Sequence, residues 1–411
     1  MPDLVLTYPE AAAVIQDRAK ILLAQKPTAE KVPLLAGLYR VLAEPVLADR
    51  DQPPFPRSTR DGFACRASDI NPDMSDAKPL RIIGQLKAGD IWKGAPLATG
   101  EALEIMTGAP VPPTADCVVM VEHVKVREDV LLIEPGRTLE PGENIVPAGA
   151  EARSGSVIVP AGTRLATSHI AAAAACGYAA VPVYARPHVA ILATGDELVP
   201  VDHTPLTHQI RNSNSYSLAA QTTLAGAQPV ILPVAPDDKA EIESAISSAS
   251  GCNLLLLSGG VSMGKYDFVE QALVARGAEF IFTGARIQPG RPVVFGKLPQ
   301  QYFFGLPGNP VSTMVTFLLF AQPLIAALSG ENVSGPRFAL ARLAHDFRTK
   351  PGLTRFLPGR IDFNIDSSQA TIIPWQGSGD LASTASANGF VVIPSTAVNL
   401  AAGECVSVLL V

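Results

Sequence analysis

Between Arg186 and Gly330 short apolar runs alternate with helical patterns, and few folds accept that alternation. The runs "HVAILAT", "PVILPVA", "NLLLLSG" and "YFFGLPG" are short and rich in branched or aromatic residues, as strands are. Helical patterns follow them in turn, after Asn212, Asp237, Asp267 and Asn309. Strands and helices in strict alternation predict βαβ units, hence a doubly wound α/β domain around a mainly parallel sheet over 186–330. Ligands of such sheets bind outside the carboxyl ends of the strands. Three loops of unusual composition fall at those ends: "TGDEL" (194–198), "SGGVSMGKYD" (258–267) and "GLPGNPVS" (305–312).

The remainder of the 411 residues exceeds what one core organises, since domains hold roughly 100 to 200 residues. Near the start Thr7 can cap a helix, with Pro9 in its first turn and Glu10 three residues beyond the cap. Ala12, Ile15, Ala19 and Leu22 would form its buried face. Residues 53–147 hold short β-like runs between Pro and Gly residues, among them "LRIIG", "LEIMTG", "CVVMVEHV" and "VLLIEP", which predict a small inserted β domain. Helical character returns at "ATSHIAAAAACGY", so 1–52 and 148–185 are expected to form a discontinuous helical linking domain. Over 331–411 the runs "FALARLA", "ATIIPW", "FVVIP" and "CVSVLLV" predict a C-terminal β-barrel. The fold class is therefore multidomain, α/β and β.

Several function classes drop out. Lys and Arg total 32 against 38 Asp and Glu, a net charge of −6, so the whole chain carries no electrostatic footprint for nucleic acid. The five cysteines are scattered without a CxxC pair, which predicts reduced thiols and a cytoplasmic protein. The N-terminus lacks a basic region followed by an apolar one, so no signal peptide is expected. The apolar stretch "MVTFLLFAQPLIAAL" is shorter than the roughly 18 residues of a membrane span and holds Gln322 and Pro323, so a buried helix is expected and no membrane partner. The six histidines show no metal spacing, and neither a GxSxG elbow nor a Walker sequence is present.

Within the three loops two readings compete. Glycines after a strand serve tight turns, yet glycine backbone beside a helix N-terminus also forms an anion site. Asp267 can be the N-cap of the helix that follows it or, in a phosphate-type cradle, a ligand of a divalent cation such as Mg2+. Asp196 and Glu197 make either a solvated acidic turn or a ligand-facing pair. One of Asp237 and Asp238 is expected to cap a helix. The run "GLPGNPVS" fixes its backbone with two prolines while leaving N–H groups available. In the β domain, Asp61 before Gly62 and Thr107 before Gly108 are read locally as ordinary turns.

Taken together, "TRDGFA", "MTGAPVP", "ATGDEL", "SGGVSMGKYD", "QPGRPVVFG" and "GLPGNPVS", in this order, resemble the molybdopterin molybdenumtransferase family over essentially the whole chain. The resemblance implies an elongated homodimer of four-domain subunits that inserts molybdenum from molybdate into adenylylated molybdopterin, releases AMP and requires Mg2+. It further implies contact with the molybdopterin adenylyltransferase. By matching motif, Asp61 and Thr107 resemble residues facing the active site of the partner subunit. Glu197, Asp237 and Asp267 resemble the catalytic and metal-binding carboxylates. Gly259, Gly260, Ser262, Gly264 and the loop Pro307, Gly308, Asn309, Pro310 resemble nucleotide and pterin contacts, and Ser312, Arg355 and Ser383 resemble holders of molybdate. The chain departs from the family pattern at Gly284 and Gln288, where relatives commonly carry lysines; Lys265, Arg286 and Arg291 are the cations available to compensate. A non-catalytic molybdopterin-binding scaffold and an adenylyltransferase are the alternatives. The acidic residues speak against the first and the missing lysines for it; the β domain and barrel speak against the second.

Overall fold

The computed structural model describes residues 4–70, 79–260, 268–332 and 335–411. Chain contacts divide it into two compact units, one of Met1–Ala43, Gly162–Ala166 and Ala180–Val411, the other of Glu44–Ala161 and Thr167–Ala179.

In the first unit the helix Tyr8–Leu23 begins as the sequence predicts. The Thr7 hydroxyl accepts from Glu10 N, and Glu10 reaches back to Thr7 N at 2.8 Å, which closes a capping box. Its buried seam is the i, i+4 row Ala11, Ile15, Ala19; Ala12 and Leu22, expected on that face, are only half-buried. Tyr8 packs edge-on to Phe356 with ring centroids 5.4 Å apart, and burial pushes its phenol up to about 12.

The expected sheet is present. Gln228–Ile231, His188–Ala193, Leu254–Ser258 and Tyr302–Leu306 lie side by side in that order, all parallel. Along Leu254–Leu257 alternate side chains enter two cores: Leu254 and Leu256 pack with Ile191 and Phe304, Leu255 and Leu257 with Leu192 and Phe303. Both faces of the sheet are covered, which is why its strands read as unbroken apolar runs. Val294–Lys297 and Glu279–Phe282 extend the sheet antiparallel at one edge and were not expected from the pattern. Among the described residues one helix, Pro310–Leu328, is long and apolar enough to cross a membrane, and it is buried along most of its length. It runs longer than the sequence reading allowed. Pro323 can supply no N–H to the turn before it, and that turn, Phe317–Ala321, widens into a π-helix.

Five strands close the C-terminal barrel: Phe338–Leu343, Thr354–Asp362, Gln369–Ile372, Gly389–Ile393 and Cys405–Leu410. Four were expected. The longest, Thr354–Asp362, was masked in the sequence by Pro358 and Gly359, which ordinarily weaken a strand. It also pairs in parallel with Ile287–Gln288, so that Gln288 stands opposite Arg355.

The second unit holds a six-stranded sheet in the order Cys117–Met120, Gly62–Cys65, Glu101–Ile105, Leu80–Leu86, Val130–Ile133, Val124–Arg127, together with the helix Thr167–Ala175. Cys65 and Cys117, far apart in sequence, are register partners with sulfurs 3.7 Å apart. The Cys117 thiol is pushed far up by the Cys65 hydrogen bond and by burial.

Candidate functional site

At the carboxyl ends of the parallel strands the backbone passes close to its neighbours. Gly259 follows Leu254–Ser258 with φ +96, and a Cβ on it would lie 2.6 Å from the Thr194 carbonyl oxygen. Gly260, at φ +63, would bring a Cβ within 2.5 Å of the Val269 side chain and 2.9 Å of the Thr194 hydroxyl. Only glycine fits either position. From the next strand, Pro307–Pro310 folds against this step, so that a Cβ on Gly308 would touch the Gly259 Cα at 3.7 Å. Gly259 N also donates to Leu306 O at 3.3 Å. The two glycine loops therefore form one continuous backbone surface. Asn309 precedes the helix beginning at Pro310 without a side-chain cap; its amide instead donates to the Ser378 hydroxyl at 2.8 Å, and Val311 N donates to Ser378 O. Ser312 is buried in the first turn of that helix.

Three carboxylates gather on the neighbouring loops. Asp238, not Asp237, caps the helix Lys239–Ser248 by accepting from Ala240 N and Glu241 N. Asp237 is thereby left free, and its backbone N–H donates to Asp196 Oδ1 at 3.0 Å, tying the "APDD" loop to "TGDEL". Glu197 folds back over Gly195. Partial desolvation, and then the facing charges of Asp196 and Glu197, raise the carboxyl of Asp237 above its usual range. Among the described residues no group of three or more His, Cys, Asp or Glu side chains is disposed to hold a metal ion. Asp267, Ser262 and Gly264, expected in this site, lie outside the described residues, as does Lys265.

A cleft of about 440 Å³ opens on the barrel, lined among others by Gln288, His345, Asp346, Arg355, Trp375 and Gln376. Arg355 is half-buried there, beside Asp346 in the cleft lining but without a salt bridge among the described residues, and donates to Leu353 O at 3.3 Å. Ser383 is not among the lining residues, and its hydroxyl donates to Asp380 at 2.7 Å. Gly284 is buried, and a Cβ on it would meet Val5 at 3.0 Å, so a lysine there would collide with the N-terminal strand. The carboxyl of Glu10 is held below its usual range by the backbone and hydroxyl of Thr7 and, to a smaller extent, by the charge of Arg286.

In the second unit Asp61 and Thr107 are brought together. Asp61 Oδ1 accepts from Thr107 N at 2.7 Å and from the Thr107 hydroxyl at 2.8 Å, and these bonds, the backbone one first, hold its carboxyl below the usual range. The local reading of Asp61-Gly62 as a turn is corrected: Gly62 is a strand residue, and a Cβ on it would lie 1.9 Å from Val119 O. Thr107 does sit in a turn, with Gly108 at φ +83.

Sequence reasoning passed over Asn214. At the start of the helix Ser213–Leu224, capped by Asn212, its amide donates to the Ser258 hydroxyl at 2.8 Å and to Gly308 O at 2.7 Å. The available signal was the second asparagine of "RNSNS", superfluous once Asn212 caps the helix.

Family models match nearly the whole chain: MoeA N-terminal region (domain I and II) over residues 6–177, probable molybdopterin binding domain over 190–327, and MoeA C-terminal region (domain IV) over 340–411. A molybdopterin molybdenumtransferase of Bacillus subtilis is 34% identical over 387 residues, covering 93% of this chain and 90% of that protein. One from Haemophilus influenzae is 32% identical, covering 96% and 97%. A crystal structure of a molybdopterin biosynthesis MoeA protein from Pyrococcus horikoshii superposes with a TM-score of 0.74 at 33% identity, covering 99% of each chain.

Proposed function

The chain belongs to the molybdopterin molybdenumtransferase family, and we infer that it works in molybdenum cofactor biosynthesis by inserting molybdenum from molybdate into molybdopterin. The form of the substrate is the further part of the proposal: molybdopterin arrives adenylylated, and AMP leaves. The observation that carries it is the joined backbone surface at the strand ends, where the Gly259 N–H is engaged by Leu306 O but Gly260, Gly308 and Asn309 carry N–H groups that can meet phosphate oxygens. Cleavage of a phosphoric anhydride asks little covalent chemistry of the protein. Positioning and charge stabilisation suffice.

Magnesium fits the donor chemistry. Asp196, Glu197 and Asp237 supply hard carboxylate oxygens, though as placed the three do not form a metal-binding group, and the carboxyl of Asp237, raised by partial desolvation and then by Asp196 and Glu197, is one whose charge a cation would stabilise. Glu197 and Asp237, with Asp267, would hold Mg2+, which would neutralise charge developing on the phosphate oxygens. For molybdate we propose the barrel cleft at Arg355, a guanidinium that shares the cleft with Asp346 but forms no salt bridge among the described residues. We further propose a homodimer in which the second copy supplies Asp61 and Thr107, transient contact with an adenylyltransferase that hands over the substrate, and a cytoplasmic location, in keeping with five free cysteines.

The test is to incubate the purified protein with adenylylated molybdopterin, Mg2+ and molybdate and to follow AMP release. Wild type should release AMP in a molybdate-dependent manner, whereas Asp267→Asn should release it about 100-fold more slowly while still binding the pterin. Near-normal turnover in a stable Asp267→Asn variant would remove that carboxylate from the chemistry. Binding of the substrate by wild type without any AMP release would favour the scaffold reading.

A further inference from the structure

We propose that Asn214 is a positioning residue that clamps the Gly259–Gly260 loop to the Pro307–Pro310 loop, so that the two halves of the phosphate-facing backbone are held ready before the ligand arrives. The inference rests on the reading of those loops as the nucleotide and pterin contacts.

The geometry leaves Asn214 one orientation. Gly308 O can only accept, so the amide nitrogen, not the oxygen, must face it; the second N–H then points to the Ser258 hydroxyl. Both hydrogens are spent on residues adjoining the two loops, one at the end of Leu254–Ser258 and one inside Pro307–Pro310. The Asn214 Oδ1 that remains is buried and has no partner among the described residues. A side chain serving only its own helix would be arranged differently, since capping here belongs to Asn212, which accepts from Ser215 N. Gly259 and Gly308 meet at the junction with no side chain between them, a Cβ on Gly308 falling 3.7 Å from the Gly259 Cα, so beside the Gly259 N to Leu306 O bond the two bonds of Asn214 are what tie one loop to the other. Ser258, accepting from Asn214, keeps its own hydroxyl hydrogen for a further acceptor.

Asn214→Ala deletes both bonds, and Ser258→Ala deletes one. In Asn214→Ala, amide hydrogen exchange should accelerate in peptides covering 258–260 and 306–309 and stay unchanged in the barrel strands. The KM for adenylylated molybdopterin should rise about tenfold with kcat held within about threefold, because the clamp serves ground state and transition state alike. AMP affinity should fall in parallel. The double variant should bind AMP no more weakly than Asn214→Ala alone, whereas independent roles would give additive losses. A folded Asn214→Ala protein with wild-type exchange in both peptides overturns the clamp, whatever the enzyme's substrate proves to be. Faster exchange in a protein whose wild type neither binds nor releases AMP would keep the clamp and overturn the functional reading instead.

Discussion

Gly259 is the point at which backbone geometry and ligand binding can be separated by one methyl group. In Gly259→Ala the new Cβ would stand 2.6 Å from the Thr194 carbonyl oxygen, a backbone atom held in turn by the Thr194–Ala235 bridge and the Thr194 N to Ser258 O bond. An ordinary carbon to oxygen contact begins at about 3.3 Å, so the loop must move by about 0.7 Å or its φ must leave +96. A non-glycine residue in such a region costs about 1–3 kcal/mol. We expect a cost of about 2 kcal/mol divided between the two readouts, up to about 4–8 °C in melting temperature where the loop stays strained and up to about 30-fold in AMP affinity where it moves away. Calorimetry and equilibrium binding of AMP measure both. Gly251→Ala is the control, because nothing lies within 4 Å of its Cβ position and its φ is not positive. Wild-type melting and wild-type AMP affinity in Gly259→Ala would refute the argument that this loop is confined by its neighbours.

Three other outcomes follow from particular contacts. Gln288→Lys, placing an ammonium opposite Arg355 at the barrel cleft, should lower the molybdate concentration for half-saturation several-fold in a salt-sensitive way, whereas Gly284→Lys should destabilise the protein by colliding with Val5; a titration of AMP release against molybdate and a melting curve distinguish them. Thr107→Val removes one of the two donors to Asp61 but leaves the backbone N–H, so the Asp61 carboxyl should rise only part of the way to its usual range in an NMR titration; in wild type, the stability this depressed carboxyl contributes is present above its unfolded pKa and lost as pH falls through the folded value. Asp237 has the opposite sign: its raised carboxyl is tolerated below the unfolded pKa and costs stability as pH rises through the folded one, so Asp237→Asn should melt higher than wild type at pH 7 without Mg2+, and the gain should vanish near pH 4.

The α/β core was legible because its strands are buried on both faces, which forces unbroken apolar runs such as Leu254–Leu257 that no loop resembles. The long barrel strand was not, since Pro358 and Gly359 read locally as a break; only pairing on both sides, with Gln369–Ile372 and Gly389–Ile393, makes them strand residues. Gly62 shows the same limit from the other side. Its neighbour Asp61 made it a turn on local grounds, but the reason for glycine there is Val119, more than fifty positions away.

The site divides along the same line. Glycines, prolines and carboxylates at strand ends announce themselves because local backbone demands and charge favour them whatever surrounds them. Which carboxylate is free is a different matter: Asp237 and Asp238 are equivalent in sequence, and only the helix start at Lys239 assigns the cap to one and leaves the other facing Asp196 and Glu197. Asn214 is harder still, for an asparagine at a helix start has a sufficient local explanation. Its hydrogen bonds to Ser258 and Gly308, 44 and 94 positions on, exist only once three strands are in register. Residues that bind ligand directly tend to be of types that binding selects, whereas residues that hold the binding loops together can be any group of the right length and donor number. That is why a positioning residue stays invisible until the loops it joins are seen side by side.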